Sequence, residues 1–381
     1  MKKRLLLISS NSSGRGGGER YLVYLTQGLR LLDCEVHVLL STVNYMDTWA
    51  KALDAEGAQV HRRDLSGLRV RPLRFVQAIA DKKQQQKVAS VCKEIHPDAI
   101  LVNQQYDEDG LDYITGALNA DIATVGGVMH MPMTATKNQR PFGKQRGNLL
   151  RKWYIQHPYR LLFVSKGSLA EFRNYYNLPY PDNLVHHGCP FLEIGNEPDL
   201  SKFPYPLSTI GFIGQFVPQK NLQLLVEGWL WMRKQGIETR LLLVGDGSER
   251  NSIEKLLAAA PQETWHITGW QNHPEKYLSI IDIYAMTSHF EGLPLALLEA
   301  VGRGLPAVVT NFNGAVDVAE HTSWVKVVTK SDPVSVGKAL ADTIQNLSNL
   351  KKQAQDNQET FRRYFSPSRM AKDTLAALGI A

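Results

Sequence analysis

The sequence predicts an α/β protein made of two doubly wound domains, each a parallel sheet with helices on both faces. Three observations predict it. Apolar runs of strand length alternate with longer segments of helical pattern, as they do when parallel strands are buried on both faces. The alternation comes as two series, separated by a stretch, Cys189 to Leu207, whose Pro190, Pro198, Pro204 and Pro206 break regular structure. A length of 381 residues at 43% hydrophobic content suffices for two cores, and a charged fraction of 21% argues against disorder.

The first series places strands near Leu5 to Ile8, Val36 to Leu40, Gln59 to Arg62, Ala99 to Asn103, Ala123 to Val128 and Leu161 to Ser165. The second places them near Thr209 to Ile213, Arg240 to Val244, Trp265 to Thr268, Ile283 to Met286, Ala307 to Val309 and Trp324 to Val328. Residues Pro333 to Gly379 read as two or three further helices. The resulting division is a first domain over 1–190, a linker over 191–207, a second domain over 208–365 and a closing helix over 366–381.

Composition excludes several classes of protein. No run of eighteen apolar residues occurs, and MKKRLLLISS is too short an apolar stretch, too soon followed by NSSGRGGGER, for a signal peptide or membrane anchor. A cytoplasmic location is expected. Cys34, Cys92 and Cys189 are scattered without metal-ligand spacing and read as ordinary thiols, not as a disulfide framework or zinc site. Residues 1–190 carry 25 Lys and Arg against 17 Asp and Glu, and the remainder 18 against 20, so the positive charge belongs to the first half. Clusters at Arg62, Arg63, Arg69, Arg71 and Arg74, at Lys82, Lys83 and Lys87, and from Lys137 to Lys152 either meet an anionic surface or cover solvated helix faces. No nucleic-acid module accompanies them.

Chemistry concentrates in residues 287–320, TSHFEGLPLALLEAVGRGLPAVVTNFNGAVDVAE, where Glu291 and Glu299 flank a helix start. Pro294, with its fixed φ and no N–H to lose, suits the first helical position, and Leu295 to Val301 supply a buried helix. The first turn would leave the amides of Leu295 and Ala296 at the positive end of the dipole, a place for a diphosphate. On a continuous helix, eight residues at a rise of about 1.5 Å would set the carboxylates roughly 12 Å apart. One extended ligand could then touch both, with hydroxyls at each end and an anion between, the layout of a nucleotide-sugar.

Around these residues stand Gly292, Pro294, Gly302, Gly304, Pro306 and Gly314, and the whole resembles the E-x7-E signature of retaining glycosyltransferases with the GT-B fold. The resemblance is to the large family 4, the glycosyl transferases group 1, which show SxxEGxPxxxxEAxxxGxPVV followed by a glycine loop. It implies two Rossmann-like domains facing across a cleft. It also implies that Glu291 faces the transferred sugar, that Glu299 holds the ribose hydroxyls, and that the amides following Gly292, at Leu293, Leu295 and Ala296, receive the phosphates.

Other motifs extend the same resemblance. Gly14, Gly16, Gly17 and Gly18 follow the first strand and precede a helix expected to begin near Glu19, where small residues let a backbone approach a ligand. Glu19 stands where GxGxxG needs its last glycine, and no GK[ST] follows, so neither a dinucleotide fingerprint nor a P-loop is present. The stretch is similar to the family's GGxER loop, which implies donor contacts at Gly16 and Gly17 and an acceptor side at Gly18 and Glu19. IGFIGQFVPQKN resembles the strand and GRxxxxKN of the family, matching at Gly214, Lys220 and Asn221. Gln215 replaces the usual arginine, which removes a fixed cation from the diphosphate and leaves Lys220 to act alone. VGDGSER, at Val244 to Arg250, resembles the GxG turn on the nucleotide side, and Gly269 and Trp270 fall where the base is contacted. His130 ends an apolar strand at its carboxyl edge, the edge where open α/β sheets bind ligands, and the family places a histidine there near donor sugar and diphosphate.

The implied activity is retaining, metal-independent transfer of a hexose or related sugar from a UDP- or GDP-sugar to a saccharide or lipid-linked acceptor. Bacterial surface glycan synthesis, such as that of lipopolysaccharide, is the implied setting, with no cofactor beyond the co-substrate and with association at the inner face of an anionic membrane. Glu291, His130 and Lys220 are the expected catalytic residues. Two rivals stand beside this reading. Asp107, Glu108 and Asp109 form a DxD that could hold a divalent ion as in GT-A transferases, or a solvated helix N-terminus. A catalytically silent GT-B domain binding a glycan, lipid or partner protein would suit Gln215 and the basic first half.

Overall fold

The structure, a computed structural model, describes residues 2–10, 16–65, 76, 79–132, 142–178, 183–191 and 207–381. The chain forms two compact units, Met1–Cys189 together with Phe365–Ala381, and Pro190–Tyr364. Most of the stretch assigned above to a linker lies outside the described residues, as do Pro198, Pro204 and Pro206, Gly14, the arginines at 69, 71 and 74, and Lys137.

The first unit holds six parallel strands, β1 (Arg4–Ser9), β2 (Glu35–Ser41), β3 (Gln59–Arg63), β4 (Ala99–Gln104), β5 (Val125–Met129) and β6 (Arg160–Phe163), in the order β3-β2-β1-β4-β5-β6. The second repeats the plan with β7 (Thr209–Ile213), β8 (Arg240–Val244), β9 (Trp265–Ile267), β10 (Ile283–Met286), β11 (Ala307–Thr310) and β12 (Val325–Val328), in the order β12-β11-β10-β7-β8-β9. Each sheet therefore reverses its strand order beside its first strand, between β1 and β4 and between β7 and β10. In open α/β sheets it is beside such switch points, beyond the carboxyl ends of the strands, that ligands bind.

Central strands are apolar on both faces because helices cover both: Leu5, Leu6, Leu7 and Ile8 are all fully buried. Each such side chain contributes about 1.5–3 kcal/mol relative to exposure. The edge strand β3, QVHRR, carries polar residues, which blunts an open edge. Separate cores result, one built on Ile8, Val102 and Phe172, the other on Phe212, Trp229 and Leu243.

Several boundaries differ from expectation for local reasons. The helix after β1 spans Gly17–Leu31, two residues ahead of Glu19, because Gly16 is its extended cap at φ −115° and ψ 159°. Ser165 is not in β6; its hydroxyl accepts from the amide of Ser168 and caps the helix Lys166–Tyr176. Strand β5 starts at Val125, not Ala123, and runs to Met129. Three helices close the chain, Pro333–Gln345, Leu347–Tyr364 and Pro367–Ala377. The last packs on Gly17–Leu31, where a Cβ on Gly28 would stand 2.1 Å from the Pro367 carbonyl oxygen, so only glycine permits the approach.

Candidate functional site

In the second unit the chemistry gathers at the β7/β10 switch point. After β7 the chain passes Gly214 and Gln215 and makes a single 3-10 turn, Pro218–Lys220, which Asn221 ends in the left-handed region at φ 48°. After β10 it passes Thr287, Ser288 and Glu291. The two loops are laced together: the Thr287 hydroxyl donates to the Asn221 carbonyl (2.9 Å), the His289 amide to the Gln219 carbonyl (2.9 Å), and the Gln219 side-chain amide to the Phe290 carbonyl (3.0 Å). This framework delivers Lys220 to Glu291, Nζ to Oε1 at 2.5 Å, and the Ser288 hydroxyl donates to the same oxygen at 2.8 Å. Both bonds fall on Oε1, and Oε2 carries no hydrogen bond from the described residues. With only 7% of the Glu291 side chain and 19% of the Lys220 side chain exposed, neither charge is fully hydrated, and each compensates the other.

The helix that follows spans Leu295–Val301, and Pro294 is its extended cap (φ −72°, ψ 123°) instead of its first helical residue. The amides of Leu297 and Leu298 both reach the Pro294 carbonyl, so those of Leu295 and Ala296 lie ahead of the first helical bond. Because the helix begins four residues after Glu291, the two carboxylates do not share one continuous helix. They still converge on one strand: burial pushes the Tyr284 phenol of β10 upward in pKa, and the charges of Glu299 and Glu291 push it further. Glu299 is 8% exposed. The carbonyl of Gly292 approaches Gly314 so closely that a Cβ there would stand 2.1 Å away, which fixes the turn through Gly292 and Leu293 against the loop after β11.

On the other side of β7, Gly245 (φ 141°) bridges to Gly269 (φ 73°), and a Cβ on Gly245 would meet the Gly214 carbonyl oxygen at 1.9 Å. The VGDGSER turn is thus pressed against the loop that carries Gln215 and Lys220. Arg250 is held by Asp246 (3.0 Å) and Glu254 (2.8 Å). Trp270, next to Gly269, is 41% exposed, an uncommon state for so large a ring.

In the first unit, Gly16 and Gly17 lie at the start of the helix with open space where a Cβ on Gly17 would stand. Gly18 is confined: a Cβ would meet Gln105 Oε1 at 2.8 Å, and its carbonyl accepts from Asn103 Nδ2 at 3.1 Å. Glu19 turns its carboxylate inward and is 2% exposed. His130 is also buried, and both ring nitrogens are engaged, Nε2 with Asn103 Oδ1 (2.6 Å) and Nδ1 with His187 Nε2 (3.0 Å). Desolvation lowers its pKa to about 3, so the ring is neutral. Since Asn103 donates to Gly18, its oxygen faces His130; the proton therefore sits on Nε2, and His187 donates to Nδ1. The Tyr21 ring meets His130 edge-on, with centroids 4.9 Å apart.

The Asp107-Glu108-Asp109 segment is not the solvated helix N-terminus of the alternative reading, since the three residues are 1%, 7% and 2% exposed. Nor do its carboxylates converge. Asp107 accepts from the Tyr176 hydroxyl (2.5 Å), Glu108 pairs with Arg146, and Asp109 accepts from the Ser10 hydroxyl (2.7 Å) and the Gln105 amide (2.9 Å). Asp109 thereby ties the end of β1 to the end of β4 across their switch point. Burial raises Asp107 to about 7 despite the Tyr176 bond. Among the described residues no group of three His, Cys, Asp or Glu is placed to share a metal ion.

Sequence reasoning missed Asn103, Ser288, His187 and Ser10. The first two sit at strand ends that it had located, where a polar residue after an apolar run is a usable signal. Nothing local marks His187 or Ser10, whose partners are 57 and 99 positions away.

Comparison with known proteins follows this geometry. Residues 201–363 match the family model of the glycosyl transferases group 1. The chain is similar to the amylovoran biosynthesis glycosyltransferase AmsD of Erwinia amylovora, 36% identical over 97 residues, which cover 25% of this chain and 27% of that protein. It is also similar to the UDP-Gal:alpha-D-GlcNAc-diphosphoundecaprenol alpha-1,3-galactosyltransferase of Escherichia coli, 30% identical over 106 residues, 27% of each chain. The chain thus spans about a quarter of the length of these relatives. Its fold is similar to the crystal structure of HepE from Anabaena in complex with UDP and glucose, with a TM-score of 0.75 over 100% of both chains at 15% identity. The fold is GT-B.

Proposed function

We propose that this chain, a GT-B protein whose second unit resembles the glycosyl transferases group 1, moves a hexose or related sugar from a nucleotide diphosphate sugar to a saccharide or lipid-linked acceptor. The observation that carries the proposal is the Lys220-Glu291-Ser288 group at the β7/β10 switch point, one turn ahead of the helix that bears Glu299. In this reading Glu291 Oε2 accepts hydroxyl hydrogen bonds from the sugar while Oε1 stays with Lys220 and Ser288. Glu299 takes the ribose diol. The amides of Leu293, Leu295 and Ala296 and the Lys220 ammonium meet the diphosphate and stabilise the charge that grows on it as the sugar departs. Gly214 and Gln215 line the same loop, and Gly269 and Trp270 take the base. Gly16 and Gly17, at the start of the helix Gly17–Leu31, are the further donor contacts that the family resemblance implies.

His130, with both nitrogens committed and its pKa lowered, acts in this scheme through Asn103 and the Gly18 carbonyl, shaping the glycine turn beside which Gly18 and Glu19 form the acceptor side. Transfer proceeds with retention, the outcome the family resemblance implies, with the leaving phosphate taking the acceptor proton, and the Lys220 ion pair holds Glu291 as an orienting group instead of a nucleophile. The diphosphate is handled by Lys220 and amides without a metal. Support for a lipid-linked acceptor comes from the E. coli relative, a galactosyltransferase acting on GlcNAc-diphosphoundecaprenol, and support for glycan synthesis from the E. amylovora relative of amylovoran biosynthesis. A cytoplasmic site at the membrane face follows from such an acceptor.

A nucleotide-release screen with UDP-, GDP- and ADP-sugars, with and without EDTA, tests the proposal. Release with one donor class, unaffected by chelator, is expected. Silence with every donor in the presence of lipid-linked acceptors would leave a binding protein, and chelator inhibition would remove the metal-free mechanism. Product NMR reads the configuration: a β-linked product from an α-linked donor would overturn retention.

A further inference from the structure

At the carboxyl end of β4 stand three amides in succession, Asn103, Gln104 and Gln105, and the fold uses the side chains of only the first two. Asn103 donates from Nδ2 to the Gly18 carbonyl and accepts at Oδ1 from His130. Gln104 donates from Nε2 to the Asp109 carbonyl (2.7 Å) and accepts at Oε1 from the Tyr159 hydroxyl (2.9 Å). Both are buried, and both are satisfied as buried amides must be. The backbone of Gln105 is held as firmly: its N–H donates to Asp109 Oδ2 (2.9 Å) and its carbonyl accepts from the Met131 amide (3.1 Å). Its side chain differs. Half-buried, it crosses Gly18, where a Cβ would stand 2.8 Å from Oε1, and no hydrogen bond reaches it from the described residues. Neither of its amide atoms is enclosed. Nearby, nothing lies within 4 Å of where a Cβ on Gly17 would stand. A fixed backbone thus presents an amide with its donors and acceptor open, beside the β1/β4 switch point.

We infer that Gln105 is a specificity-determining residue for a neutral saccharide and hydrogen-bonds two neighbouring sugar hydroxyls beside the Gly17-Gly18 turn. Oε1 accepts from one hydroxyl and Nε2 donates to the next, a pairing that suits a vicinal diol because each hydroxyl both donates and accepts. A phosphate or carboxylate ligand fits less well. The amide brings no charge to it, and the nearest acidic residues, Asp109 against the Gln105 backbone and Glu19 next to Gly18, would oppose an anion. The inference rests on the saccharide acceptor proposed above and names a residue that selects it.

Binding is read without turnover. The full chain is titrated with the methyl glycosides of glucose, galactose, mannose and N-acetylglucosamine, followed by saturation-transfer difference NMR, with inorganic phosphate as the anionic control. Gln105→Met, close in shape but without the amide, and Gln104→Met are compared with the parent. At least one glycoside is expected to bind the parent, and to bind Gln105→Met about five- to tenfold more weakly, the worth of one or two hydrogen bonds between neutral groups. Removing one ring hydroxyl from that glycoside should weaken binding to the parent but not to Gln105→Met, because the amide left unpaired is what rejects the deoxy sugar. Gln105→Met should melt as the parent does, whereas Gln104→Met, which strands the Tyr159 hydroxyl and the Asp109 carbonyl, should melt several degrees lower. No glycoside bound by the parent, parental affinity in Gln105→Met, deoxy sugars rejected equally by both proteins, or phosphate bound in place of the glycosides would overturn the inference. Glycoside binding through Gln105 in a chain that releases nucleotide from no donor would remove sugar transfer alone; transfer with an indifferent Gln105 would remove this inference alone.

Discussion

Two groups of buried carboxylates, one in each unit, look alike by burial and differ in what surrounds them. Asp107, Glu108 and Asp109 are divided among partners that are fixed parts of the first unit, namely Tyr176, Arg146, and Ser10 with the Gln105 amide. Each ties one loop or helix to another. Glu291 has its partners, Lys220 and Ser288, on one oxygen, at a switch point and beside a helix start, and keeps the other oxygen for something else. Burial of an acid is therefore not a mark of chemistry; access to its second oxygen is. Asp107 Oδ1 and Asp109 Oδ1 are shut away from solvent inside the first unit, whereas Glu291 Oε2, beyond the carboxyl end of β10, is not among the enclosed oxygens and stays open to a ligand.

The largest expected effect divides the two groups by turnover. Glu291→Gln should lower donor-dependent nucleotide release about 10²- to 10³-fold, because it removes the charge that orients Lys220 and the sugar. Asp107→Asn, which keeps an acceptor for the Tyr176 hydroxyl, should leave release within about threefold of the parent. Equal losses in the two variants would erase the distinction.

The second effect is on stability and has opposite signs at two residues. Asp107, raised to about 7, favours the folded state most at low pH, and that contribution is lost as pH rises through 7; the loss between pH 5 and 8 is on the order of 2 kcal/mol. His130, lowered to about 3, contributes stability above pH 6.5 that is lost as pH falls toward 3. Urea midpoints should thus decline toward high pH in the parent but not in Asp107→Asn, and decline toward low pH less in His130→Gln than in the parent. A parent-like slope in both variants would show that neither group is coupled to folding in this way.

The smallest effect sharpens the assignment within the second unit. Glu299→Ala should weaken binding of UDP or GDP about tenfold by calorimetry, the worth of a charge-assisted hydrogen bond to a ribose hydroxyl. Unchanged affinity would take Glu299 out of the site and leave it as a buried helix residue beside Tyr284.

The strands were legible because parallel strands covered on both faces must be apolar throughout: LLLI in β1 and RLLLV in β8 announce themselves. Glu291, Glu299 and Lys220 were picked out by the family resemblance, and the structure pairs Lys220 with Glu291; the glycine turns were legible because the close approaches at Gly245 and Gly314 leave no room for a Cβ. Helix starts were less so. Whether Pro294 is a cap or a first helical residue depends on one ψ angle that proline leaves free.

Two alternating series, a proline-rich break, a basic first half and the E-x7-E pattern follow from the sequence by itself, because each rests on local periodicity or composition. Only the tertiary structure decided that Asp107 and Asp109 are enclosed and tied to Tyr176 and Ser10, that His130 is neutral and enclosed, and that Lys220 is held by Glu291. The physical reason is common to all three. A side chain's charge state and exposure are set by neighbours brought from 57, 69, 71 or 99 positions away, and no local pattern encodes which partner will arrive.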